Sequence, residues 1–392
     1  MMKKILTKTI IVLSFISLFT DVASEMLYPV MPVFLKSIGF SVVLIGILEG
    51  LAEATAGISK GYFGQLSDRI GKRVPFVRWG YAMSAISKPM MAILQFPIWI
   101  FFARTLDRLG KGVRTSARDA LLSDESSPET KGKVFGFHRG MDTLGAAIGP
   151  LVALIFLYFY PGQYKWLFII AFAPGLFAIF LTWFLKDKPK IKNSIPRKSG
   201  SFFSFIWYWR QSDKEYKLLI VGLLVFTLVN SSDVFLLLMV KQQGYSDTQM
   251  IGLYIFYNLL YALLAYPSGW LADKIGMKRV MIVGLTVFSA VYLLFGYAET
   301  LPHFILLFGL YSIYASATEG ISKAWITNLA DKEHTATAVG FYTSFQSIAT
   351  LLASSFAGII WFSFSPTFMF TLSGIGALLV ALFLMIFIKS QR

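Results

Sequence analysis

Four carboxylates stand inside the first two apolar stretches of this 392-residue chain: Asp21 and Glu25 near the middle of one, Glu49 and Glu53 near the middle of the next. Each pair is spaced i, i+4, which places both members on one helix face. A charged side chain at mid-bilayer depth costs about 2.5–3.5 kcal/mol even on insertion scales, so four acids at one depth must face a cavity, take partners or hold protons. Binding a proton or a cationic substrate is the chemistry such a cluster offers, with Glu25 and Glu53 the first choices. The competing reading is a structural ion-pair network with the fourth apolar stretch. There Arg104, Asp107, Arg108 and Lys111 stand at i, i+3, i+4 and i+7 and form one charged stripe that cannot face lipid. No metal-ligand spacing occurs among His138, His303 and His334, and cysteine is absent, so no metal, thiolate or other cofactor is expected.

The elements that must position these groups are membrane spans. The composition is 56% hydrophobic with only 15% charged residues, against about 25% charged in soluble domains, so much of the chain must face lipid. Apolar segments are expected near 9–35, 41–63, 75–95, 98–121, 133–159 and 164–186, then near 216–241, 248–270, 278–298, 302–328, 335–361 and 365–389. Each reaches roughly the 20 residues that span a bilayer. The basic start is followed by an apolar run too long for a signal peptide, and it reads as the first span.

The net charge of +15 is distributed in a way that excludes nucleic acid as its purpose. Lys3, Lys4 and Lys8, two basic hairpins, the central segment, Lys389 and Arg392 carry it, while the alternate loops near Gln95 and Glu299 are nearly bare. This is the positive-inside pattern, and it puts both termini, both hairpins and the linker in the cytoplasm of a bacterial-type inner membrane. Residues 186–198, rich in Lys, Pro and Ser, read as a flexible linker. The aromatic stretch from Phe202 to Arg210 is too short to cross and reads as lying along the inner membrane surface.

The two hairpins are copies of each other. Gly64-Gln65-Leu66-Ser67-Asp68-Arg69-Ile70-Gly71-Lys72-Arg73 returns as Gly269-Trp270-Leu271-Ala272-Asp273-Lys274-Ile275-Gly276-Met277-Lys278-Arg279, with Gly64 to Gly269 and Asp68 to Asp273 both offset by 205 residues. The pattern G-x-L-x-D-R-x-G-x-R resembles the loop signature of the major facilitator superfamily between helices two and three, and the second copy falls where that family repeats it. The resemblance implies an all-α membrane protein of twelve transmembrane helices in two pseudo-symmetric six-helix bundles, working by alternating access. The domains are then 1–186, a linker with the amphipathic stretch at 187–215, and 216–392.

The resemblance also implies roles. Gly64, Asp68, Arg69, Gly71, Arg73, Arg118, Asp273 and Arg279 correspond to a cytoplasmic gate that locks the outward-facing state. Arg104 matches the arginine of the family's R-x-x-Q-G motif, which assists proton movement, although Asp107 and Arg108 replace its Gln and Gly. Gly145, Gly149 and Pro150 resemble the helix-five motif of drug/proton antiporters, without the Gly-Gly that usually follows. As small-xxx-small spacing they also allow close helix approach. At the 205-residue offset Glu25 falls on Asn230, Glu49 on Tyr254 and Glu53 on Asn258, so the second repeat presents a polar, aromatic face that includes Asp233. Asp142 reads as an i, i+3 partner of Arg139, and Glu319 as an i, i+4 partner of Lys323.

The functional expectation is a proton-coupled secondary transporter, a monomer in the lipid bilayer, exporting small amphipathic or cationic molecules. Import of an organic anion with protons and lipid translocation are the alternatives. An intramembrane enzyme is not expected, because no Ser-His pair, H-E-x-x-H or G-x-x-x-x-G-K-[ST] occurs.

Overall fold

The computed structural model describes residues 5–28, 30–187 and 201–388. Lys3, Lys4, Lys389, Arg392 and linker residues 188–198 lie outside the described residues. Helices α1 (Lys8–Glu25), α2 (Met31–Ser37), α3 (Val42–Ile70), α4 (Val74–Ile93), α5 (Pro97–Asp124), α6 (Lys131–Phe159) and α7 (Tyr164–Thr182) come first. A short turn, Ser204–Trp207, runs into α8 (Tyr208–Gln211). Then follow α9 (Lys214–Val229), α10 (Val234–Gln242), α11 (Asp247–Ile275), α12 (Met277–Phe295), α13 (Leu301–Leu329), α14 (Thr335–Ser363) and α15 (Pro366–Phe387). No strand occurs among the described residues.

Two expected spans are broken. The segment expected over 9–35 divides into α1 and α2, with Pro32 in the first turn of α2, a position where a missing N–H is harmless. The segment expected over 216–241 divides at Asn230-Ser231-Ser232-Asp233. No Gly or Pro is present there. The side chains of Asn, Ser and Asp hydrogen-bond the backbone locally and compete with the helix, and Ser232 Oγ accepts from the N–H of Val234.

The sequence repeat is also a repeat of backbone geometry. α3 and α11 have equal length, each opens on a serine cap (Ser41 and Ser246), and each is preceded by a glycine at positive φ, Gly39 and Gly244. Their ends match as well: Gly71 and Gly276 both take positive φ, 72° and 99°, a conformation that costs other residues energy. All three residue pairs keep the offset of 205.

Two compact units result. One comprises Met1–Ser126, Met141–Gln211 and Ala330–Ser344, and the other Ser127–Gly140, Ser212–Leu329 and Phe345–Arg392. Within the first, α4 packs between α5 and α7, and α3 packs on α5. Phe205 fills the notch left by Gly61 of α3, so the aromatic stretch is anchored on the helix bundle, with Phe203 and Trp207 exposed. Within the second, α12 packs on α13 and α15, and α11 on α13.

Among the described residues, eight segments are long and apolar enough to cross a membrane by length and composition: α6, α7, α9 with α10, and α11 to α15. Of the helices outside that group, α1 and α3 carry the four acids, α5 the basic stripe, and α4 Lys88.

Candidate functional site

The first unit brings the charged stripe of α5 against α3 and α4. The Arg104 guanidinium makes a two-pronged contact with Glu49, Nε to Oε1 and NH2 to Oε2, both at 2.8 Å. Arg104 also reaches Asp107 at 3.3 Å, and Asp107 receives Lys88 Nζ of α4 at 2.8 Å. Arg108 lies 3.5 Å from Glu53 and 4.0 Å from Glu49. Planar guanidinium on planar carboxylate is the strongest of these geometries. The gradient of exposure matters more than the count. The Lys88 and Asp107 side chains are only 2% and 10% exposed, whereas those of Glu49 and Glu53 are 36% and 45% exposed. The inner pair is a structural brace, and the outer glutamates form an accessible edge that can exchange partners. Lys111, exposed, continues the same α5 face.

A second cluster lies on α1, α5 and α6. Ser17 donates to Asp142 at 2.5 Å, Arg118 donates to Ser17 at 3.2 Å, and Arg118 pairs with Asp119 at 3.0 Å and Asp142 at 4.0 Å. Asp21 sits beside it, because a Cβ placed on Gly145 of α6 meets the Asp21 Cβ at 2.9 Å and the Leu18 carbonyl at 2.5 Å. Gly149 lies equally close to the α1 backbone at Val22 and Met26. The two glycines thus let α6 seat against the helix that carries Asp21 and Glu25, with Pro150 inside α6 just beyond.

The hairpin carboxylates act on helix ends. Asp68 accepts from the N–H of Thr337 at 2.6 Å and its hydroxyl at 2.7 Å, and from the N–H of Ala336 at 3.4 Å. It therefore caps α14, where the helix dipole and unpaired N–H groups favour an anion. Arg73 holds the same carboxylate at 2.5 Å and Asp124 at 3.5 Å. In the second unit Asp273 accepts from the N–H of Gly132 at 2.7 Å and of Lys133 at 2.9 Å and caps α6 in the same way. Gly64 abuts the Ala336 carbonyl and Gly269 the backbone of Gly132, so any side chain at either glycine pushes the capped helix away. Gly71 closes α3, Arg69 stands in its last turn, and Arg279 is exposed. Arg118, expected in the gate, pairs with Asp119 and Asp142.

In the second unit the polar face is built on tyrosines. Tyr311 donates to Asp233 at 2.7 Å, Asn230 donates to Tyr314 at 3.1 Å, and Ser231 meets Tyr292 at 3.3 Å. Tyr257 stacks among them, 5.1 Å from Tyr311. Arg139 donates to Tyr261 at 2.8 Å and pairs with Glu319. Asn258 turns back onto its own helix, donating to the Tyr254 carbonyl at 2.9 Å. Sequence reasoning passed over Lys88, Tyr292, Tyr311 and Tyr314. A lysine inside an apolar stretch was a usable signal, whereas a tyrosine in an apolar helix is ordinary core and was not.

The Major Facilitator Superfamily model matches residues 13–257 and 218–392. The chain belongs to this superfamily. An uncharacterized MFS-type transporter of Methanocaldococcus jannaschii is 33% identical over 97% of this chain and 95% of its own length. The multidrug resistance protein MdtH of Salmonella arizonae is 24% identical over 79% of this chain and 74% of its own. Among solved structures, the human organic anion transporter MFSD10 superposes with a TM-score of 0.82 at 17% identity, covering 96% of this chain and 98% of its own. The Escherichia coli fucose:proton symporter does so with 0.75 at 11%, covering 96% and 97%. This superfamily member is therefore a multi-pass membrane transporter with a small-molecule substrate, and its fold is the superfamily's.

Proposed function

We propose that the protein is a proton-coupled secondary transporter that exports small amphipathic or cationic molecules by alternating access. The observation that carries this reading is the accessible edge of Glu49 and Glu53 on a buried brace of Arg104, Asp107 and Lys88. Protonating either glutamate frees an arginine, and a cation arriving at the glutamate displaces one, so the two ligands compete for the same carboxylates. Asp21 and Glu25 extend the acidic face, and Asn230, Asp233, Tyr254 and Asn258 contribute recognition from the second repeat. The name of the Salmonella relative, a multidrug resistance protein, supports export.

In this reading the repeats are 1–186 and 216–392, joined by 187–215, and the protein works as a monomer. The positive-inside charge pattern supports an inner-membrane location with both termini cytoplasmic. The gate is the pair of caps: Asp68 leaving α14 and Asp273 leaving α6 is the opening step, with Arg73 retaining Asp68 until then.

The test uses purified protein in liposomes with a pH-sensitive dye inside and tetraphenylphosphonium as the cation. Adding the cation is expected to move protons in the wild type. In Glu49→Gln and Glu53→Gln the coupled proton flux falls at least tenfold. Proton flux equal to wild type in both variants refutes the assignment. A second reading is supported by the Arg104 contact: its two parallel N–H groups suit a substrate carboxylate once Glu49 is protonated, which fits proton-driven import of an organic anion. Uptake of a carboxylate driven by an inward proton gradient, with no response to the cation, decides for it.

A further inference from the structure

The break between α9 and α10 holds a carboxylate with no counter-charge. Asp233 receives one neutral hydrogen bond, from Tyr311, and among the described residues no basic nitrogen lies within 4.0 Å of it. The charged groups near enough to act on it are Arg139 and Glu319, and they are paired with each other. An ionised carboxylate at this depth is costly unless something positive joins it.

The surroundings are oxygen-rich. Because residues 230–233 are not helical, the carbonyls of Thr227, Leu228 and Val229 lose the N–H partners a continuous helix supplies, and they point along the axis into the break, the negative end of α9. The side-chain oxygen of Asn230 is buried with no hydrogen-bond partner. Ser231 adds a hydroxyl that meets Tyr292, and Tyr311 and Tyr314, one turn apart on α13, hold Asp233 and Asn230 respectively. These donors are hard neutral oxygens around a single negative charge. That set suits a small monovalent cation better than a divalent one, which draws several carboxylates.

We infer that the α9–α10 break is a sodium-binding site, with Asp233, the Asn230 side-chain oxygen, Ser231 and the open carbonyls at the end of α9 as its ligands. Unwound carbonyls and half-helix C-termini are a recurrent way to hold such ions in transporters. The inference goes beyond the proton-coupled reading and does not depend on it, since proton flux can be measured in sodium-free vesicles.

The experiment is thermal unfolding of the full-length protein in detergent, in NaCl against choline chloride at equal ionic strength, together with equilibrium binding of radioactive sodium. A ligand that prefers the native state raises apparent stability in proportion to its saturation. Sodium is expected to raise the unfolding temperature by a few degrees and to saturate, whereas choline does not. Asp233→Asn and Asn230→Ala should lose that shift while unfolding in choline within a few degrees of wild type. If Asp233→Asn does not fold, saturable sodium binding by the wild type and its loss in Asn230→Ala sustain the site. A wild type that responds alike to both salts and binds no sodium overturns it, as does Asp233→Asn retaining the full sodium shift.

Discussion

Replacing Asp68 with Asn tests whether the repeated carboxylates are caps, and whether the two caps differ. In the wild type one Asp68 oxygen receives the Thr337 N–H and hydroxyl, and the other holds Arg73 at 2.5 Å. Both side chains are nearly inaccessible, 4% and 2% exposed. Asparagine keeps one acceptor but loses the charge. Breaking a buried ion pair from one side costs about 3–5 kcal/mol, here reduced because Asp124 stays 3.5 Å from Arg73. Losing an anion at a helix N-terminus adds about 0.3–1 kcal/mol. The sum points to about 2–4 kcal/mol. Asp273→Asn at α6 loses only a cap held by two backbone N–H groups, worth about 1 kcal/mol. Hydrogen exchange reads both directly, because local opening free energy sets the exchange rate. With roughly 1.4 kcal/mol per tenfold, the first turn of α14 in Asp68→Asn should exchange on the order of 30- to 700-fold faster. The first turn of α6 in Asp273→Asn should exchange about five- to tenfold faster. Unchanged exchange at Thr337 in Asp68→Asn, or a larger effect at α6 than at α14, refutes the reasoning.

The brace makes a related prediction. Lys88→Met leaves Asp107 with Arg104 alone at 3.3 Å and should destabilise by about 3 kcal/mol. The double variant Lys88→Met with Asp107→Leu should cost clearly less than the two single changes added, as a thermal-unfolding double-mutant cycle can measure. The glycine contacts predict opposite signs at two helical positions. Gly145→Ala places a methyl 2.5 Å from the Leu18 carbonyl and should cost about 1–3 kcal/mol through overpacking. Gly50→Ala meets nothing within 4 Å and should stabilise by about 0.5–1 kcal/mol. Unfolding temperatures that move the same way for both refute that account.

Much of the fold is legible in the chain because its signals are local. The serine caps at Ser41 and Ser246, the glycine stops at Gly71 and Gly276 and the apolar lengths are each readable within one turn or one span. The ion-pair reading of Glu49 and Glu53 with the fourth span also follows from spacing, since a stripe that cannot face lipid has few other partners. The α9–α10 break was hidden because no Gly or Pro marks it. The partner of Asp68 was hidden because backbone N–H groups carry no sequence signature, and Thr337 lies far along the chain.

By itself, then, the sequence determines that this is a duplicated membrane unit with acids and arginines sunk into its helices, because hydrophobic period, charge bias and repeat offset are properties of neighbouring residues. Only the tertiary structure decides which acid meets which base, which carboxylate is left without a counter-charge and which helix end each hairpin holds. Those depend on how closely helices approach, and that distance is set by packing across segments that the linear order keeps far apart.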